Sequence, residues 1–149
     1  MYLKELHQQW LIYFIPFFDL VSIDFSETFD SSKVQSMKYM FGSCTSLKFV
    51  NVSSFDTRSV GDFMAMFQKC KEITSLDLSN FNTENAFTFQ SIFDSMSNLE
   101  YLDISSFYSP YLASSTFING EVKSNVTVVL GKKTNGIYFP SGWKKIYKN

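Results

Sequence analysis

The chain has 149 residues, of which 45% are apolar and 17 are Phe, enough for a continuous core in one domain or one short repeat array. Net charge is −1 but unevenly placed: residues 1–130 hold all 14 acids against 8 basic side chains, and residues 131–149 hold Lys132, Lys133, Lys144, Lys145 and Lys148 with no acid. A membrane-spanning helix is excluded, because the longest apolar run, Trp10 to Phe18, has nine residues with Pro16 inside it and spanning needs about 20.

The same run makes a poor secretory signal, since Lys4 and Glu5 cancel and no small-residue cleavage site follows. Residues 1–28 read instead as a degraded first unit of a repeat. His7, Trp10, Tyr13, Phe14 and Phe17 fall 27 residues before Val34, Met37, Met40, Phe41 and Cys44. Leu20, Ile23 and Phe25 precede Leu47, Val50 and Val52 by the same step. Leu3, Leu6 and Trp10 share a helical face, which predicts a helix over residues 2–14 ending before Pro16. A terminal unit of this kind covers the open end of a stacked core.

From Phe29 the period is 26. Phe29, Phe55, Phe81 and Phe107 open successive units, and Met40, Met66, Ile92 and Ile118 recur in register, as do Phe41, Phe67 and Phe93. A fixed period of this length with apolar identity kept in column marks a stacked repeat protein. Residues 29–106 hold three full units, residues 107–130 a degenerate last one, and residues 131–149 leave the pattern.

Each unit has two halves. In the first, Val60, Phe63, Met66, Phe67 and Cys70 have the spacing of one helical face, so a short helix is expected over residues 61–69, with Asp56, Thr57 and Ser59 capping the turns before it. In the second, Leu76 and Leu78 alternate with Ser75, Asp77 and Ser79, the mark of a strand with one face inward. Strands are expected at residues 22–26, 48–53, 74–79, 100–105 and 126–130. Parallel strands joined by short helices give an α/β solenoid with right-handed coils and a concave sheet.

Cys44 and Cys70 share a column that Met96 also occupies, so they are expected as free buried thiols rather than a disulfide. His7 is the only histidine and has no Cys or acid at ligand spacing, which argues against a zinc site. Neither a Ser–His–Asp arrangement nor a glycine-rich phosphate loop is legible. No catalytic residue, cofactor or metal is expected. Asn51-Val-Ser and Asn125-Val-Thr have the form of glycosylation sequons.

Asp24, Asn51, Asp77 and Asp103 form an outward polar column. It either holds a cation or basic ligand, or bonds locally with neighbouring Ser. Phe49, Ser75 and Tyr101 flank it, and aromatics beside acids on a rigid face suit partner recognition. The tail carries five Lys among Ile137, Tyr138, Phe139, Trp143, Ile146 and Tyr147. It is expected to cap the last unit, its lysines meeting the acidic body; the alternative is attachment to an anionic surface.

The stretches MKYMFGSCTSLKFVNVSSFDT (Met37 to Thr57) and FMAMFQKCKEITSLDLSNFNT (Phe63 to Thr83) resemble the repeat of the BspA-like leucine-rich-repeat proteins of bacterial surfaces, also common in mycoplasma lipoproteins. FQSIFDSMSNLEYLDISSF (Phe89 to Phe107) is a weaker copy. The resemblance is clear over residues 20–107 and faint at the ends; it implies a leucine-rich-repeat protein on the cell surface or secreted, without enzymatic activity and often adhesive, and residues 1–149 are read as a single solenoid. A protein or glycan partner is expected, with Phe49, Asn51, Ser75, Asp77, Tyr101 and Asp103, which strand alternation places outward on the concave face, as the binding residues. Neither nucleic acid nor a membrane span is expected. The other reading is a structural segment of a longer or self-associating repeat protein, joined through the solenoid ends. One departure from the leucine-rich-repeat pattern stands out. Phe55, Phe81 and Phe107 occupy the position usually held by a backbone-bonding Asn, so the backbone at that bend must find other partners.

Overall fold

The computed structural model describes residues 19–25, 29–112, 115–134 and 136–148. The expected N-terminal helix, most of the first unit and His7 lie outside the described residues.

Among the described residues six short strands follow one another: β1 (Ser22–Asp24), β2 (Phe49–Asn51), β3 (Ser75–Asp77), β4 (Tyr101–Asp103), β5 (Thr127–Leu130) and β6 (Lys144–Tyr147). The first five fall inside the expected ranges. All pairings are parallel. Ser22 pairs with Phe49, 27 residues on. Tyr101 pairs with Ser75 on one side and Thr127 on the other, each 26 away. The sheet is in two parts, β1-β2 and β3-β4-β5-β6. Asn80 bridges the gap: its Nδ2 donates to the carbonyls of Val52 at 3.1 Å and Ser53 at 3.2 Å.

Inward side chains form columns. Leu76, Leu78, Leu102, Ile104 and Val128 are buried, as are Cys44, Cys70 and Met96. Phenylalanines stack from coil to coil, Phe41 on Phe67 at 5.3 Å between ring centres, Phe63 on Phe89 at 5.6 Å and Phe81 on Phe107 at 6.4 Å. Such offset pairs add about 0.5–1.5 kcal/mol beyond the area they bury.

The expected short helices are not formed. Each first half is a pair of consecutive four-residue turns. Met40 N–H bonds the Met37 carbonyl and Cys44 N–H the Phe41 carbonyl, both at 3.1 Å. The third residue of each turn has positive φ: Tyr39 and Ser43, Ala65 and Lys69, Ser91 and Ser95. That sign at that position is the mark of a type II turn. It reverses alternate peptides, so that every second N–H points along the stack. Met37, Tyr39, Phe41 and Ser43 donate to the carbonyls of Asp62, Met64, Met66 and Gln68 in the next coil, at 2.7–2.9 Å. A helix would consume those groups within the coil. The turns spend them between coils, extending the parallel strand bonding to the far side of the stack.

Left-handed backbone costs an L-residue about 1–2 kcal/mol, and glycine relieves it. Ser91→Gly is therefore expected to raise stability by about 0.5–1 kcal/mol. In a helix interior the same change would lower it. A thermal melt decides on the sign alone.

The bend after each strand shows what the F-D-T motif does. Phe55, Phe81 and Phe107 are buried and stacked. Asp56 Oδ1 and Asn82 Oδ1 accept from the N–H groups of Arg58 and Glu84 at 3.1 Å, closing Asx turns. Thr57 and Thr83, both 1% exposed, tie coils together. Thr57 Oγ1 donates to the Asn82 carbonyl and accepts its N–H, each at 2.8 Å. Thr83 does the same with Tyr108, at 3.0 and 2.8 Å. Ser31 repeats the arrangement with Asp56. A second column, Ser54, Asn80 and Ser106, donates to the carbonyls of Phe25, Val52 and Leu78 in the preceding coil. Thr134 ends that column against the Phe107 carbonyl at 3.0 Å. These two polar columns serve the backbone that the Phe column cannot.

Candidate ligand-binding face

Strand alternation sets this face. With Leu76 and Leu102 buried, residues one before and one after them project from the other side of the sheet. One row holds Phe49, Ser75 and Tyr101, the next Asn51, Asp77 and Asp103; Ser75 and Asp77 lie in register with Tyr101 and Asp103. Phe49 is 54% exposed and Tyr101 36%, large values for aromatics held on a rigid strand. Ser75 and Asp77 are exposed and Asn51 is half-buried.

Asp103 departs from the expected exposed column. It is only 1% exposed. Lys148, just after β6, reaches past β5 and places Nζ 2.5 Å from Asp103 Oδ2. Val129, in register with Asp103 on one side and Ile146 on the other, is also buried. Lys148 thus covers Asp103 at the β4–β5 end of the face, while Phe49, Ser75, Asp77 and Tyr101 stay exposed.

Burial by itself would raise the Asp103 carboxyl. The Lys148 ammonium and the bonds from Ser105 outweigh it and hold the group below its ordinary value of 3.8. Lys148 moves the opposite way, raised first by its bond to Asp103 and then by nearby charge. Tyr101 is raised by burial, then by the charges of Asp103 and, less strongly, Asp77. Its hydroxyl lies 3.5 Å from Asp103 Oδ2.

A carboxyl with a lowered folded-state pKa stabilises the fold above its unfolded pKa, and that contribution fades as acid protonates it. The melting temperature should therefore fall on acidification below about pH 4. Asp103→Asn should flatten part of that fall, as read from melts at pH 3 to 7. An unchanged acid slope in the variant would remove Asp103 from the explanation.

The polar column also has a local task. The Oδ1 atoms of Asn51, Asp77 and Asp103 accept the N–H groups of Ser53, Ser79 and Ser105 at 2.9–3.0 Å, ending each strand in an Asx turn. Local bonding with Ser, one of the two alternatives read from the sequence, is present at all three positions.

Cys44 and Cys70 are buried free thiols, and burial pushes the Cys70 thiol upward, away from reactivity. Among the described residues no group of three His, Cys, Asp or Glu is placed to hold a metal. No helix among them is long and apolar enough to cross a membrane. Of the two sequons, Asn125 is exposed, and Asn51 is held in its strand with Oδ1 engaged. The lysine-bearing tail folds onto the last coil: β6 pairs with β5, Phe139 and Trp143 are buried, and Trp143 Nε1 donates to the Lys123 carbonyl at 2.9 Å.

Sequence reasoning missed two features and reached a third, the Lys148 contact, only as a general meeting of tail lysines with the acidic body. The hydroxyl column Ser31, Thr57, Thr83 and the bridging column Ser54, Asn80, Ser106 both keep the 26-residue step and were findable by it. Lys148 has no repeat position; the charge asymmetry between body and tail was its only signal.

Parallel strands at a 26-residue step, joined by bonded turns on the far side, define a repeat protein of stacked β coils. The chain belongs to the family described as "Mycoplasma protein of unknown function, DUF285", whose model matches residues 17–125. That span takes in β1 to β4 and ends before β5. No curated protein and no solved structure matches the chain.

Proposed function

We propose that the chain is a non-enzymatic leucine-rich-repeat interaction module of the BspA-like kind, displayed on a cell surface or secreted, adhesive in use, and binding a protein or glycan across β2 to β4. The observation that carries this reading is the exposure of Phe49 and Tyr101 on the strand face, with Ser75 and Asp77 between them. Rigid exposed aromatics are the residues most often found as binding anchors. The strand-forming L-x-x-L-x-L runs and the M-x-x-M-F-x-x-C halves support the repeat class.

A glycan array and a surface-protein pull-down with the purified chain test it. Phe49→Ala together with Tyr101→Ala should cut affinity for the captured partner at least tenfold, since paired anchors of this kind contribute about 1–2 kcal/mol each. The melting temperature should move by only a few degrees. Retained affinity in the double variant would sink the face as the binding surface. A second reading, a structural segment of a longer or self-associating repeat protein, draws on one observation: all four residues of β6 are exposed, leaving a free parallel edge.

A further inference from the structure

We propose that Lys148 occupies, in cis, a lysine-recognition position on this face, and that the partner is a protein segment whose own lysine displaces it. The inference rests on the reading of the strand face as a binding surface and narrows the ligand from protein or glycan to a basic peptide segment.

The position is built for a primary ammonium. Asp103 supplies a buried carboxylate at 2.5 Å, and the Tyr101 hydroxyl lies against the same carboxylate oxygen. Asp77 stands in register one strand away. The site is already filled by one lysine, which shows that its shape and charge accept that group. The occupant comes from far along the chain, 45 residues from Asp103.

Its hold is limited. Lys148 follows β6, an edge strand paired on one side and exposed at all four residues, and its own side chain is 53% exposed. Short exposed segments paired on one side only open at low free energy. The rest of the open face suits an incoming basic segment. Phe49 and Tyr101 offer rings to a lysine stem, and Asp77, whose Oδ1 accepts the Ser79 N–H, has Oδ2 turned to no hydrogen-bond donor among the described residues. A neutral ligand that displaced Lys148 would leave the Asp103 carboxylate buried without its cation, which is costly, so displacement selects an incoming ammonium.

The test uses the whole chain at low salt, a fluorescent peptide alternating Lys and Ser, and the same peptide with every lysine acetylated. Amine labelling read by mass spectrometry reports each lysine. In the free protein, Lys148 should label several-fold more slowly than Lys144 and Lys145. Saturating lysine peptide should bring Lys148 up to their rate, and the acetylated peptide should neither bind nor do so. Lys148→Met should bind the lysine peptide several-fold more tightly. Peptide binding with Lys148 still protected overturns the proposal, but leaves the face reading standing if Phe49→Ala weakens that binding. Binding unaffected by both Phe49→Ala and Asp77→Asn places the peptide elsewhere and overturns both. A glycan bound on the face, with no affinity for the lysine peptide in either protein, overturns the proposal alone.

Discussion

Leu78→Asp is expected to abolish folding. Leu78 is fully buried, its N–H bonds the Asp103 carbonyl at 2.9 Å, and its carbonyl accepts from Ser106 at 3.2 Å. A carboxylate there has no cation within the column. An unpaired buried charge costs several kcal/mol, against about 5–15 kcal/mol for a whole domain. Asp77→Leu, one residue away and exposed, loses only the bond to Ser79 N–H, worth about 1 kcal/mol. Circular dichroism melts of the two variants should differ completely. A cooperative transition in Leu78→Asp, or equal damage in both, would mean that the strand register is wrong.

Thr83→Val should be nearly as instructive. Valine has the same shape as threonine and leaves the packing in place. It strands both the N–H and the carbonyl of Tyr108, which Thr83 Oγ1 now satisfies. Thr83 is buried but Tyr108 is 42% exposed, so water reaches the freed groups in part and the loss of the two bonds should be about 1–3 kcal/mol. Thr83→Ser keeps both bonds and gives up one methyl, about 1 kcal/mol. Urea melts should rank wild type above Ser, and Ser above Val. Equal losses for Ser and Val would show that the buried hydroxyl column does not hold the coils together.

The strands were legible because alternation has a single reading. Leu76 and Leu78 inward with Asp77 between them leaves no other register, and the 26-residue step carried that register to β4 and β5. The far side was misread for a physical reason. Two consecutive four-residue turns bury their first and last residues, as Met37, Met40, Phe41 and Cys44 show. Those positions lie at i, i+3, i+4 and i+7, the spacing of a helical face, so side-chain periodicity cannot separate the two structures. The distinction lies in backbone sign, at Tyr39, Ala65 and Ser91, and the residue types there carry no glycine to announce it.

The candidate face was legible in placement and not in exposure. Phe49, Ser75, Asp77 and Tyr101 are exposed on their strands, and Asn51, one 26-residue step before Asp77, is half-buried. Asp103 sits in its expected row but beneath Lys148, and nothing in a repeat column foretells what a tail outside the repeat will cover. The F-D-T motif was visible as a pattern, and its division of labour among stacking, turn closure and coil linkage needed coordinates.

Hydrogen–deuterium exchange of the chain with its captured partner, or with the lysine peptide, tests most directly whether the strand face is the binding surface. Protection is expected at residues 48–52, 74–78 and 100–104, with residues 38–43, 64–69 and 90–95 unchanged and Lys148 exchanging faster than in the free protein. Protection confined to those turn segments, with the strands unchanged, would contradict the assignment.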